Sequence, residues 1–423
     1  MFSTIPSLLP DLKALYEDLH AHPELSFAEH RTAAILAERL TALGYEVTTG
    51  VGGTGVVAML TNGEGPLVLL RADIDALPLK EETGLSYAST VVSVNDDGET
   101  VPVAHACGHD MHATWLIGTA TVLATHRDSW SGRVMLLLQP AEELGTGAMA
   151  MIEDDLFNRF GTPDVALGQH LAPAPAGWVL HRSGPVMAAT DSVRIVLHGR
   201  GGHGSAPQTT IDPVVMAAST VMKLQTLVSR TVAPTDTAVV TVGSLHAGTR
   251  ENIIGPSAEL KLSIRTFEPS VRDRVLSGIT RIAEGESASY GATIPPEVET
   301  MLSLPTTNND PEATEAVAAA FLDHFGPERA MEGPVATGSE DFGFFAIRGG
   351  FPSVFWFVGG TDAELWGKAF AAGRLEEDVP YNHSPAFAPV QDPTIQAGIE
   401  AMVTAACCWL TPTQPSGPRA LRP

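Results

Sequence analysis

The densest run of chemically able side chains is His105-Ala106-Cys107-Gly108-His109-Asp110-Met111-His112, which holds three of the chain's 14 histidines and one of its three cysteines. Thiolate, imidazole and carboxylate at this spacing suit zinc first, while the imidazole and carboxylate members also accept manganese, cobalt or nickel. Three further groups follow apolar runs: Asp73-Ile74-Asp75 after LVLLRA, Glu142-Glu143 after RVMLLLQP, and His170 after DVALGQ. Each stands at the C-terminal end of an expected strand, the edge where open α/β sheets build ligand sites. Adjacent glutamates in a loop are expected to point in different directions, so that one binds metal while its neighbour faces a substrate. By residue type alone the pair also reads as a solvated turn. Asp, His/Cys, Glu/Glu and His converging on one edge imply a site.

The elements that must position these groups alternate. An amphipathic helical pattern from Leu12 to Leu43 breaks near His22-Pro23, and strands follow over 45–48, 55–60 and 66–71. Helix is expected over 115–126, strand over 133–140, helix over 145–157 and strand over 163–170. Near-continuous apolar strands alternating with helices predict an α/β fold with a mainly parallel, buried sheet. After Gly184-Pro185 the order becomes strand 192–199, helix 211–230, two strands, a helix and a last strand ending near Met301. That β-α-β-β-α-β order predicts an inserted ferredoxin-like (α+β) domain. The expected boundaries are 187–299 for the insertion, with 1–186 and 300–423 forming one discontinuous domain. The later part carries a helix at 311–325, a strand at 352–360 and a helix at 393–409, and the Pro-rich tail from Thr411 is expected to be mobile.

Composition narrows the function classes. At 423 residues and 44% hydrophobic the chain exceeds one usual core, and a net charge of −24 argues against a nucleic-acid partner. Three cysteines make no disulfide framework, no basic n-region opens the chain, and no apolar run reaches membrane-spanning length, so the expected compartment is the cytoplasm with no membrane partner. Of two G-x-G-x-x-G segments, the one at Gly50 is followed by another strand, and the one at Gly199 by a loop with no acid over 219–225, so neither has the context that a dinucleotide site needs.

HACGHDMH, QPAEE, GGHGSAP, RADIDALP, GSEDF and NHSP together resemble, in this order-specific set spread over residues 10–410, the metal-dependent amidohydrolase branch of the aminoacylase and carboxypeptidase family. That branch includes hippurate hydrolases, auxin-conjugate hydrolases and N-acyl-amino-acid aminoacylases. The resemblance implies two divalent metal ions per subunit, zinc first, held by Cys107, His109, Glu143, His170 and His383. It implies that Glu142 is the general base and acid and that Asp75 stands behind a ligand; relatives outside the branch have a histidine where this chain has Asp73. It further implies a homodimer or dimer of dimers through the inserted domain, with His203 reaching the partner's site and Asn252 and Arg265 holding a substrate carboxylate. By residue type, Arg265 is equally a strand-face charge and Asn252 a turn former. The implied activity is hydrolysis of the amide bond of a small-molecule N-acyl amino acid. The alternatives are a dipeptidase or carboxypeptidase, which needs a site for a free α-amine, and a metal-binding scaffold without turnover, in which Glu142 would have no role.

Overall fold

The computed structural model describes residues 1–95 and 97–410, so the tail read as mobile lies outside the described residues. The chain divides into two compact units. One comprises Met1–Val186, Asn308–Pro334 and Asp341–Pro423, and the other Met187–Thr307 with Val335–Glu340.

The first unit is built on an eight-stranded sheet whose centre is parallel. Gly132–Gln139, Leu67–Asp73, Val165–Pro175 and Ser353–Thr361 lie side by side in that order, all parallel, with antiparallel strands added outside them. Every residue of Leu67–Asp73 is buried, which is why this strand reads as a continuous apolar run rather than an alternating one. Helices Ile5–Ala21, His109–Thr125 and Thr394–Leu410 contribute to one large core with this sheet. Their packing is close. A Cβ added to Gly398 would meet the Trp115 ring at 2.2 Å, and the Trp115 indole N–H donates to the Thr394 carbonyl at 3.0 Å.

The second unit is a four-stranded antiparallel sheet in the order Ala238–Ala247, Ser257–Thr266, Ala189–His198, Glu297–Leu304. Helices Pro213–Thr226 and Pro269–Ser289 complete the β-α-β-β-α-β arrangement. Alternate residues of Ser257–Thr266, among them Ala258, Leu260, Leu262 and Ile264, enter its core. The outward side is polar: Arg194 pairs with Glu259 at 2.6 Å. The last strand runs on to Leu304, beyond the expected end near Met301, because its exposed, polar-alternating sequence offers no sharp stop.

Some elements escaped the sequence pattern. Val179–His181 and Ala330–Glu332 are three-residue strands, too short to show a period, and Ala363–Ala372 is a helix. The helix expected from residue 115 begins at His109 and is buried on nearly every side. It therefore lacks the amphipathic stripe by which a surface helix is recognised.

Candidate active site

Strand register brings the polar groups together. Asp73 is level with Gln139, and Arg71 with Gly168. The residues following Gln139 therefore leave the sheet beside Asp73, and His170, two past Gly168, is level with Asp73 on the other side. His109, Asp110 and His112 form the first turn of the helix that starts there. Gly108, before it, has a left-handed φ of +91° and lies so close to the next strand that a Cβ would meet Leu171 Cδ2 at 2.6 Å. Only glycine lets Cys107 and His109 approach His170 this closely.

Ligand atoms of Cys107, His109 and Glu143 all lie within 4.8 Å of one another. His109 Nε2 is 3.8 Å from Glu142 Oε2 and 3.8 Å from Glu143 Oε1. Both glutamates thus stand near one imidazole, while their other neighbours differ: Glu143 groups with Cys107 and His109, Glu142 with Asp341. His383 Nε2 stands 3.4 Å from Glu143 Oε2, and Cys107 Sγ is 3.5 Å from His170 Nε2. His383 has a left-handed φ of +70°, and its N–H donates to the Ala106 carbonyl at 2.7 Å. Its neighbour Asn382 donates to the Cys107 carbonyl at 3.1 Å and the Leu171 carbonyl at 3.3 Å, tying this loop to the cluster.

Hydrogen bonds behind the cluster aim the rings. His109 Nδ1 lies 3.1 Å from Asp75 Oδ1, and His170 Nδ1 is 2.8 Å from the Leu171 carbonyl. Both contacts draw the proton to Nδ1 and leave Nε2 facing inward, as ligating imidazoles require. Asp75 also accepts from Ser26 Oγ at 2.7 Å and from the Glu143 N–H at 3.0 Å. His109 Nε2 and Glu143 Oε1 are buried without a hydrogen-bond partner.

The field is strongly negative. Burial disfavours the His109 imidazolium, yet Asp73 and Asp75 outweigh it and hold the ring's proton to well above the usual histidine range. Burial raises the Glu143 carboxyl to about 7, with Asp75 and Asp73 adding to the rise against His109. Burial and then Glu143 push the Cys107 thiol well up, and burial and His112 hold the His170 ring well below its usual range. A divalent cation among Cys107, His109 and Glu143 would displace these protons, partner the two orphaned atoms and offset the acidic surroundings. The donor set fits one.

Asp73, His109, His112 and His170 form a second compact group. Asp73 and His112 are engaged elsewhere: Asp73 accepts from Arg71 at 2.7 Å and contacts His112 Nδ1 at 2.5 Å, while His112 Nε2 accepts from the Leu171 N–H at 2.8 Å. Arg71 also bonds Gln139 at 2.8 Å and Asp341 at 3.2 Å. Arg71 and Asp341 stand in the segments RADIDALP and GSEDF, but nothing in those segments reveals that they meet across the sheet.

The remaining expected residues lie in the second unit. His203 sits in a short β-pairing, opposite Ile253, and the Gly204 N–H donates to the Asn252 carbonyl at 2.8 Å. The His203 ring is exposed, and Nδ1 accepts from the Ser205 N–H at 3.1 Å, which leaves Nε2 as the donor of the neutral ring. Arg265 is bonded to Ser339.

Comparison with known proteins agrees with this geometry. Residues 69–371, more than half of the chain, match the model of Peptidase family M20/M25/M40, and the chain belongs to that family. Thermostable carboxypeptidase 1 of Saccharolobus solfataricus is 37% identical over 81% of this chain and 84% of its own length. Hippurate hydrolase of Campylobacter jejuni is 38% identical over 81% of this chain and 87% of its own. A solved structure from Bacillus subtilis, described as a dinuclear metal binding peptidase from M20 family, superposes with a TM-score of 0.75 at 30% identity, covering 95% of this chain and 99% of that one. The protein is a metal-dependent amidohydrolase with an inserted α+β domain, acting on small-molecule amides. Among the described residues no helix is long and apolar enough to cross a membrane.

Proposed function

We propose that the protein hydrolyses the amide bond of N-acyl amino acids, releasing a carboxylic acid and a free amino acid. One observation carries the reading: two buried, unpartnered ligand atoms converge with a cysteine while a separate carboxylate, Glu142, faces the same imidazole. In this reading Cys107, His109, Glu143, His170 and His383 hold two divalent ions, zinc first because a soft thiolate is present. Such ions supply Lewis acidity and lower the pKa of water. Glu142 takes the proton of the attacking water and returns it to the departing amine, so one carboxylate serves as base and then acid. Asp75 holds the His109 ring in register. From the second unit, His203 Nε2 donates to the developing oxyanion of a partner subunit's substrate, and Asn252 and Arg265 hold its carboxylate. The protein is accordingly a homodimer, and its three free cysteines suit the reducing cytoplasm.

The kinship with a hippurate hydrolase supports an acylated substrate, and that with a carboxypeptidase keeps peptides as the second reading. Rates of the zinc- and manganese-loaded protein on N-benzoyl and N-acetyl amino acids, set against free dipeptides, test the choice. The acylated series should be turned over faster. Preference for dipeptides with a free α-amine would reverse it.

A further inference from the structure

Glu29 is fully buried and belongs to none of the groups so far described. It immediately precedes helix His30–Ala42, but its side chain makes no bond to the helix's free N–H groups. Glu24 does so, accepting from the Arg31 N–H at 2.9 Å and the Thr32 N–H at 2.8 Å. The Glu29 carboxylate instead accepts from the Ala141 N–H at 2.9 Å through Oε1 and from the Thr54 hydroxyl through Oε2.

Ala141 immediately precedes Glu142 and has a left-handed φ of +49°, a conformation an L side chain keeps only where its surroundings impose it. The rest of the turn is tied downstream. The Gly145 N–H bonds the Glu142 carbonyl at 2.6 Å, the Gly147 N–H bonds the Ala141 carbonyl at 3.2 Å, and the Glu143 N–H is held by Asp75 at 3.0 Å. The turn is wound so tightly that a Cβ on Gly147 would fall 1.6 Å from the Pro140 carbonyl oxygen. Asp75 anchors the Glu143 N–H and Gly145 the Glu142 carbonyl; the direction in which the Glu142 side chain leaves the turn follows from the backbone of Ala141 before it.

We infer that Glu29 is a positioning residue: by holding the Ala141 N–H it keeps that residue left-handed and so aims Glu142 at the reacting centre. The inference rests on the reading of Glu142 as the proton shuttle. Without an acceptor at position 29 the buried N–H is unpaired, Ala141 relaxes toward negative φ, and Glu142 turns away while Glu143 stays with Asp75.

The test compares Glu29→Met, which keeps chain length but accepts nothing, with Glu29→Gln, whose amide oxygen still accepts, and with Glu29→Met/Ala141→Gly. A shuttle displaced by about 1 Å should lower kcat of Glu29→Met roughly 10- to 100-fold, with KM within about threefold and metal content as in the wild type. Glu29→Gln should stay within about threefold of wild type. Ala141→Gly should restore about fivefold or more, because glycine adopts positive φ without strain. Thr54→Val, which loosens the carboxylate without removing it, should give the same signs at about threefold and serves where Glu29→Met does not fold. Crystal structures supply the readout independent of turnover: Ala141 should leave the left-handed region in Glu29→Met and keep it in Glu29→Gln. Ala141 unmoved with kcat unchanged would overturn the inference, as would Glu29→Gln failing as badly as Glu29→Met with no rescue by glycine. A wild type inactive on every amide offered would overturn the proposed function alone, since the φ of Ala141 in Glu29→Met would still decide the role of Glu29.

Discussion

Two polar clusters lie side by side at the same edge of the parallel sheet, and they differ in how their hydrogen bonds close. In the first, Arg71, Asp73, His112, Gln139 and Asp341 bond one another, with both Asp73 oxygens and both His112 nitrogens engaged. In the second, Cys107, His109 and Glu143 crowd together with two buried atoms unpartnered. Both contain a histidine and a carboxylate, but the first adds a guanidinium and an amide and the second a thiol. The bonding closes in the first and stays open in the second, and because a buried polar atom is left unpaired only at a cost, the open cluster is the candidate cation site. Burial and neighbouring charge act together here: the cation-facing groups hold protons they would surrender to a metal, while Arg71 and the imidazoles outweigh burial and hold the Asp73 carboxyl well below its usual range.

Breaking the unsatisfied cluster should have the largest effect. Cys107→Ala should lose bound metal and fall to below ~10⁻³ of wild-type turnover, since Lewis-acid stabilisation amounts to several kcal/mol. Cys407→Ala and Cys408→Ala, at the end of helix Thr394–Leu410, should keep both properties. Elemental analysis beside a turnover assay checks the set; full metal content in Cys107→Ala would show that the thiolate is not a ligand.

Within that cluster the two glutamates sharpen the contrast. Glu142→Gln should retain metal and lose on the order of 10² to 10⁴ in kcat, the usual range for a proton shuttle. Glu143→Gln should lose metal. Equal metal loss in both would mean that the two roles are not divided as proposed.

The satisfied cluster should answer differently. Asp73→Asn leaves Arg71 buried with one fewer carboxylate, a change that commonly costs about 3 to 5 kcal/mol of stability. Metal content should be unchanged and kcat within about tenfold once the protein is folded. Chemical denaturation and metal analysis of the same sample separate these effects; metal loss without loss of stability would move Asp73 into the cation-binding set.

Much of this was legible in the sequence. Apolar runs ending in Asp73, Glu142 and His170 announced strand ends, and parallel strands necessarily end on one edge. The inserted unit showed in the β-α-β-β-α-β order because its strands alternate and its helices are amphipathic. What could not be read was pairing at long range. Arg71 meets Asp341 across 270 positions, and Glu29 reaches Ala141 across 112; neither leaves a periodic trace. Nor could spacing tell that His109, rather than His112, keeps an unpaired nitrogen beside Cys107 and Glu143. That depends on the Leu171 N–H satisfying His112 and on Asp75 turning His109 inward.

The most direct measurement is anomalous diffraction at the metal edge from crystals of the metal-loaded protein. The account predicts density within bonding distance of Cys107 Sγ, His109 Nε2 and the Glu143 carboxylate, with Asp73 and His112 still bonded to each other. Density instead between Asp73 and His112, with Cys107 remaining a thiol against His170, would contradict it.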